Sequence, residues 1–370
     1  MGQPLATLAI ISHERPILRD RAIESGLHSI ARSGYAVPVL LIDSSRIPRS
    51  APAGVRLVHR PDKPMCVSKR RMAAELSDTE WVVLLDDDCQ AVPEAIGTLL
   101  AAMESDDHRR TAALFVVTQF SGPQTRMFRA ASRSDLTAGF GQSADGDISW
   151  GVTTLAAFRR RALLSVDAFN SEDLAVRVGG EDVDACIRLR TAGWRVRQLP
   201  EVLALHDTAT WDSFAQNVRR SRNYGAAEAQ LVRLHPGHAR IGYENLLVSM
   251  VFGALCARLA GPRVKVGLLA GLVGWLVSEL LERRAEHQEA TSAEIGVQAL
   301  WSASYELGRL RTATVRRDPR LAVWRFNWEV SEPTGFSPAL SRRTAKRLAV
   351  TGLAAMATAA MVKHRGSGSR

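Results

Sequence analysis

The chain has 370 residues, 46% hydrophobic and 23% charged, which is ordinary globular composition for one large or two modest domains and argues against disorder or a polytopic membrane protein. Its 48 Lys and Arg against 38 Asp and Glu give a net charge of +10, which attracts anions without choosing among nucleic acid, anionic lipid and phosphorylated small molecules. Cys66, Cys89, Cys186 and Cys256 show no paired spacing, so neither a zinc site nor a disulfide framework is expected, and a reducing cytoplasm fits. The N-terminus carries no basic leader and only a short apolar run, unlike a signal peptide.

Apolar runs then alternate with helical patterns. Residues 5–11 read as a strand, 16–34 as a helix closed by Gly34, 36–43 as a strand, 67–77 as a helix and 81–87 as a strand. Such alternation implies a parallel sheet covered on both sides. Ligands of these sheets bind beyond the carboxyl ends of the strands, where Ser12, Asp43 and the run Asp86 to Asp88 fall. A helical stretch at 94–105 and a strand at 112–120 lead into residues 121–150, a Gly-, Ser-, Asp- and Arg-rich segment expected to be a functional or mobile loop. Within it, Asp145 and Asp147 follow no apolar strand and read as loop. Regular structure resumes at 148–166, followed by a helix at 181–193, a strand at 196–205 ending at His206, and a basic helical stretch at 212–236 closed by Pro236.

Beyond residue 240 the apolar segments 245–261, 264–281 and 347–362 are interrupted or closely flanked by charges such as Arg258, Lys265 and Glu279. That leaves about 13 to 16 uninterrupted residues against the roughly 20 a membrane span needs, so buried or interfacial helices are expected. Past Glu332 no acidic residue occurs, while Arg342, Arg343, Lys346, Arg347, Lys363, Arg365 and Arg370 do, a pattern open to a lipid-surface anchor or a solvated basic tail.

The apolar run Trp81 to Leu85 leads straight into Asp86, Asp87 and Asp88. Adjacent carboxylates repel, so solvent, a helix N-terminus or a cation should hold them. Carboxylates one residue apart at a strand end can reach a single hard cation, one of them directly and the other through water or phosphate. Downstream, Gly179 and Gly180 permit a tight approach, Glu181 and Asp182 open a helix, and a strand runs to His206.

This block resembles the nucleotide-sugar-dependent glycosyltransferases of family 2, in which an Asp-x-Asp strand end is followed by a Glu-Asp helix, an Arg- and Gly-Trp-bearing segment, a strand, a Pro and a His. Here these are Asp86 and Asp88, Glu181 and Asp182, Arg190 through Trp194, Pro200 and His206, and the likeness covers roughly residues 5 to 235. It implies the GT-A fold, a Rossmann-like mixed α/β sheet flanked by helices, over residues 1–235, with a partly apolar helical region at 236–330 and a basic tail at 331–370. The implied reaction is inverting transfer of a sugar from a UDP-, GDP- or dTDP-sugar to an unidentified acceptor hydroxyl, assisted by Mn²⁺ or Mg²⁺. In it Asp88 and His206 ligate the metal and Asp86 holds ribose or a metal-bound water. Asp182 is the general base, near a helix N-terminus that favours its ionised form, and Glu181 caps the helix or holds the acceptor.

The resemblance further assigns Ser12, Asp43 and Arg70 to the nucleotide, Arg219, Arg220 and Arg222 to its phosphates, and Trp150, Thr153 and Thr154 to the acceptor side. The implied location is the cytoplasm, with peripheral membrane contact through the C-terminal region. Rival readings are transfer to a polyprenyl or lipid phosphate and a noncatalytic scaffold of the same fold. Nucleic-acid binding is not expected, because the basic residues lie beside carboxylates and no zinc-finger spacing or aromatic RNA-binding motif occurs.

Overall fold

A computed structural model describes residues 3–105, 110–137, 139–141, 145–170, 174, 179–242, 273, 277, 280–285 and 288–328. The apolar segments expected after residue 240 lie mostly, and the basic tail from 331 entirely, outside the described residues. Among the described residues no helix is long and apolar enough to cross a membrane.

Contacts divide the chain into two compact units, one of Met1–Thr125 with Thr137–Ser213 and the other of Arg126–Leu136 with Phe214–Arg370. The first unit opens with β1 (Ala6–Ser12), α1 (Pro16–Ser33), β2 (Val39–Asp43), β3 (Val55–His59), α2 (Cys66–Leu76), β4 (Trp81–Asp86), β5 (Cys89–Ala91), α3 (Ala95–Glu104) and β6 (Thr111–Ser121). After α4 (Arg126–Ser132), which belongs to the second unit, it continues with β7 (Gly146–Asp147), β8 (Leu155–Arg159), α5 (Arg160–Ser165), α6 (Glu181–Thr191) and β9 (Arg195–Asp207).

The strands form one sheet in the order β3-β2-β1-β4-β8-β6-β9-β5, with β7 paired to β9. Its first four strands are parallel, as the alternation of elements predicts. From there it becomes mixed, because β8 runs antiparallel to both β4 and β6, and β5 runs antiparallel to β9. The two-residue alternation of each strand divides its apolar side chains between two cores. Leu8, Ile10, Val83 and Leu85 face α1 and α3, while Ala9, Ile11, Val82 and Leu84 face α2, α5 and α6. A mixed sheet with helices on both faces is the architecture the family resemblance implies.

The stretch expected to be an irregular loop at 121–150 holds α4 and the short β7, a correction to that expectation. In its own unit α4 lies against α8 (Ser292–Arg316), whose Gln298 donates to the carbonyls of Ala130 and Arg133, each at 3.1 Å. The α4 residues themselves, with no glycine and with Arg126, Met127, Arg129, Ala130 and Ala131, have ordinary helix propensity that the composition of the longer segment hides.

The second unit is built on α7 (Phe214–Leu234) and α8, with α9 (Arg320–Val323) and a small antiparallel pair of β10 (Ala239–Ile241) and β11 (Trp324–Phe326). Thr291 caps α8 in a reciprocal box with Glu294. Between α7, α8 and β11 the buried Glu228 carboxylate accepts from Arg309, from Tyr305 Oη at 2.9 Å and from the Phe326 N–H at 2.9 Å. Burial alone would raise the pKa of Glu228, but the Arg309 and Arg325 guanidiniums outweigh it and hold the group down at about 2.

Candidate functional site

In-register pairing brings three strand ends together, since Ser12 lies opposite Asp43 and Ile11 opposite Asp86. The Ser12 carbonyl accepts from the Lys69 ammonium at 2.7 Å and from the Ser44 N–H at 3.2 Å. Lys69 also donates to Ser44 Oγ at 2.9 Å; it is buried, and desolvation lowers its pKa despite the nearby carboxylates. Asp43 is fully buried, and its Oδ1 accepts from the Ser45 N–H at 3.0 Å and the Ser45 hydroxyl at 2.7 Å. Its Oδ2 has no hydrogen-bond partner and lies 4.0 Å from the Arg19 guanidinium.

The three adjacent aspartates are held mainly by two arginines, each of which bridges two acids. Arg70, only 3% exposed, donates to both oxygens of Asp86 at 2.9 and 3.0 Å and, through its other terminal nitrogen, to Glu181. Burial alone would lower its pKa, but the Asp86 and Glu181 carboxylates overcome this and raise it. Arg15 donates to Asp87 Oδ1 at 3.3 Å and to Asp88 Oδ2. Asp87 also accepts from the His13 N–H at 2.9 Å; burial outweighs Arg15 and pushes its carboxyl up to about 7. Asp86 is raised as well, by desolvation first.

The Arg70 bridge ties the end of β4 to the start of α6. Gly179 and Gly180 lead into that helix with φ of 96° and 84°, a left-handed conformation that side chains rarely adopt. Glu181 is buried against Arg70, whereas Asp182 is half-buried and accepts from the Val183 N–H at 2.9 Å. The helix N-terminus is expected to hold Asp182 low, yet surrounding protein and the Glu181 charge push its carboxyl up to about 7.

At the end of β9, His206 is 5% exposed, with Nε2 3.6 Å from Asp88 Oδ1. Its Nδ1 lies 3.1 Å from the Asp207 carbonyl and 3.4 Å from Trp211 Nε1. The tautomer that donates from Nδ1 to the Asp207 carbonyl is the one that turns an Nε2 lone pair toward Asp88, as a cation held between them would need. Rings of Phe120, Phe140 and Trp211 surround the imidazole with centroids 5.3 to 5.8 Å away. One oxygen of Asp88, the Cys89 sulfur and one ring nitrogen of His206 all lie within 4.8 Å of one another. Two ligands of one cation at bond lengths of about 2.1 Å stand ~3.0 to 3.4 Å apart, so the Asp88–His206 pair at 3.6 Å needs only a small closure to hold a divalent metal.

On the expected acceptor side, Thr154 is buried, with its hydroxyl 2.5 Å from that of Thr118 and its carbonyl accepting from the Asp86 N–H at 3.0 Å. Thr153 is buried and Trp150 half-buried against the second core. Asp147, read as loop, pairs within β7–β9 with Arg195 at 3.1 Å. Arg219, Arg220 and Arg222 lie on α7 in the second unit; Arg219 is exposed and Arg220 donates to Asn217 Oδ1 at 2.8 Å.

Sequence reasoning missed Lys69, the pairing of Arg15 with the acidic run, the aromatic rings around His206, and Cys89 as a neighbour of that imidazole. Only the cross-strand register of β5 on β9, which places Cys89 opposite His206, reveals the last.

The family described as "Glycosyltransferase like family 2" matches residues 44–226, from just past β2 into α7. Just under half of the chain therefore matches this family of glycosyltransferases. Among individual proteins it is similar to pre-mycofactocin glycosyltransferase from two strains of Mycobacterium tuberculosis, at 24% identity over 328 residues, covering 81% of this chain and 66% of the relative. The chain thus spans just under two thirds of the length of those curated relatives.

Solved structures similar to it include mannosyltransferase PcManGT from Pyrobaculum calidifontis in complex with GDP-Man and Mn²⁺, with 16% identity, 81% of this chain and 87% of that one covered, and a TM-score of 0.47. Another is TarS 1-349 of S. aureus, with 12% identity, 82% and 91% covered, and a TM-score of 0.40.

Proposed function

We propose that the protein is an inverting, metal-assisted glycosyltransferase that moves a sugar from a nucleoside-diphosphate sugar to an acceptor hydroxyl. The observation that carries this reading is the buried Arg70, which joins Asp86 at the end of β4 to Glu181 at the start of α6. Two acidic motifs far apart in the chain thereby flank one guanidinium. Asp88 and His206 would hold Mn²⁺ or Mg²⁺, and the cation when bound supplies positive charge against the departing diphosphate oxygen.

Asp182 takes the proton of the acceptor hydroxyl as that oxygen bonds to the anomeric carbon from the face opposite the breaking bond to the diphosphate. A carboxyl with a pKa of about 7 is well matched to that task near neutral pH. Glu181, committed to Arg70, positions the helix that carries the base. Ser12 and Asp43 line the strand ends where the nucleoside would lie. The free thiols of Cys66, Cys89 and Cys186 support a cytoplasmic location. Peripheral membrane contact rests only on the basic composition of residues 331–370.

The test is nucleotide release by the full chain across UDP-, GDP- and dTDP-sugars, with Mn²⁺ or Mg²⁺ and with EDTA. One donor should be turned over, EDTA should abolish release, and Asp182→Asn should keep donor binding while losing about 10² to 10⁴ in rate. No binding or turnover of any donor with either metal, or an unchanged Asp182→Asn rate, overturns the assignment.

A further inference from the structure

The strands β5 and β9 run antiparallel, and Cys89 on one lies directly opposite His206 on the other. Residues paired in this way carry their side chains on the same face of a sheet, with Cβ atoms about 5 Å apart. The Cys89 sulfur is therefore brought beside the imidazole by backbone register, independently of the acidic run. Asp88, the residue before Cys89, completes a triangle. Its Oδ1 is 3.6 Å from His206 Nε2 and 3.8 Å from Cys89 Sγ, while Arg15 takes its Oδ2.

We propose that Asp88, Cys89 and His206 form a mixed oxygen, sulfur and nitrogen site that takes a thiophilic divalent cation of the zinc class. The proposal rests on the reading of Asp88 and His206 as cation ligands and adds a third donor that changes which cation binds best. Donors around one tetrahedral ion with bonds of about 2.0 to 2.3 Å stand ~3.3 to 3.8 Å apart, close to both distances measured from Asp88. On binding, the Cys89 S–H bond breaks, its proton leaves to buffer, and the sulfur bonds the cation. One carboxylate, one thiolate and a neutral imidazole then balance a double positive charge.

The surroundings favour such an ion. Asp88, Cys89 and His206 are 9%, 1% and 5% exposed, and the rings of Phe120, Phe140 and Trp211 cover the imidazole. Mn²⁺ and Mg²⁺ prefer oxygen donors and keep several waters, whereas a sulfur donor in a largely dry setting suits zinc-class ions.

The full chain, kept reduced, is titrated with Co²⁺ as a spectroscopic probe and with Zn²⁺ against a chromogenic chelator, beside Cys89→Ser and Cys89→Ala. Melting curves establish which variant is folded, and Mn²⁺ binding is followed in parallel by electron paramagnetic resonance. The wild-type protein should show a near-ultraviolet sulfur-to-cobalt charge-transfer band that is absent from the folded variant. Zn²⁺ affinity should fall at least about tenfold, the loss that even groups outside the ligand shell produce, while Mn²⁺ affinity changes far less. Mn²⁺ binding with no sulfur band, or a Zn²⁺ affinity unchanged in the variants, overturns the proposal and leaves the glycosyltransferase reading standing. Failure of Co²⁺, Zn²⁺ and Mn²⁺ alike to bind the wild-type chain overturns both.

Discussion

Asp182 sits under two opposing influences. The start of α6 favours its negative form by about 0.3 to 1 kcal/mol, while burial and the Glu181 carboxylate favour the neutral form and win, placing its pKa at about 7. A general base works deprotonated, so kcat/KM should rise about tenfold per pH unit below that value and level off above it. A rate profile flat between pH 5 and pH 8 would remove Asp182 from the role of base. The sequence pattern located this residue at a helix start but pointed its pKa in the wrong direction, because desolvation by distant segments leaves no mark on local sequence. Arg70 illustrates the same limit. Its alignment with the family implies contact with the nucleotide and gives no sign of the ion pairs that its two terminal nitrogens make with Asp86 and Glu181.

The elements legible from sequence are those with a long apolar signal, such as β1, β4 and β6, and α6 through the Glu181-Asp182 motif at its start. The five-residue β3, half-buried rather than core, and the three-residue β5 carry too little periodicity to stand out, and both exist because a neighbouring strand offers its edge. The contact between α7 and α8 was equally invisible. A side chain at Gly225 would put its Cβ 1.9 Å from the Tyr305 carbonyl oxygen, and one at Gly308 would put it 2.0 Å from that of Arg222. The obstacles are backbone atoms, which cannot rotate away as a side chain can. Gly225→Ala should therefore cost about 1 to 3 kcal/mol despite its better helix propensity, measurable as a lowered denaturation midpoint by circular dichroism. Gly296→Ala, on the same α8 with open space around its Cβ, is the matched control and should be neutral or slightly stabilising.

For the whole molecule, the +10 charge predicted an affinity for anions without naming one, and the proposed diphosphate and metal rest on the residues at the strand ends rather than on that charge. Binding to the folded chain alone must raise its stability, by about 2.7 kcal/mol at a hundredfold excess over Kd. Calorimetry with the preferred nucleotide and Mn²⁺ should show an upward shift in Tm that is lost with EDTA and in Asp88→Ala. An equal shift in that variant would place the metal elsewhere. The mixed character of the sheet came from the family resemblance alone, since the apolar run of β8 announces a buried strand but not its direction.

Because Arg70 is shared by Asp86 and Glu181, those two acids form one thermodynamic unit. Removing either leaves a buried guanidinium half-compensated, so the losses from Asp86→Asn and Glu181→Gln should not add in a double-mutant cycle. The two motifs stand far apart in the chain, with β6 and β8 between them, yet the identity of the acid at one end is tied to the identity of the acid at the other.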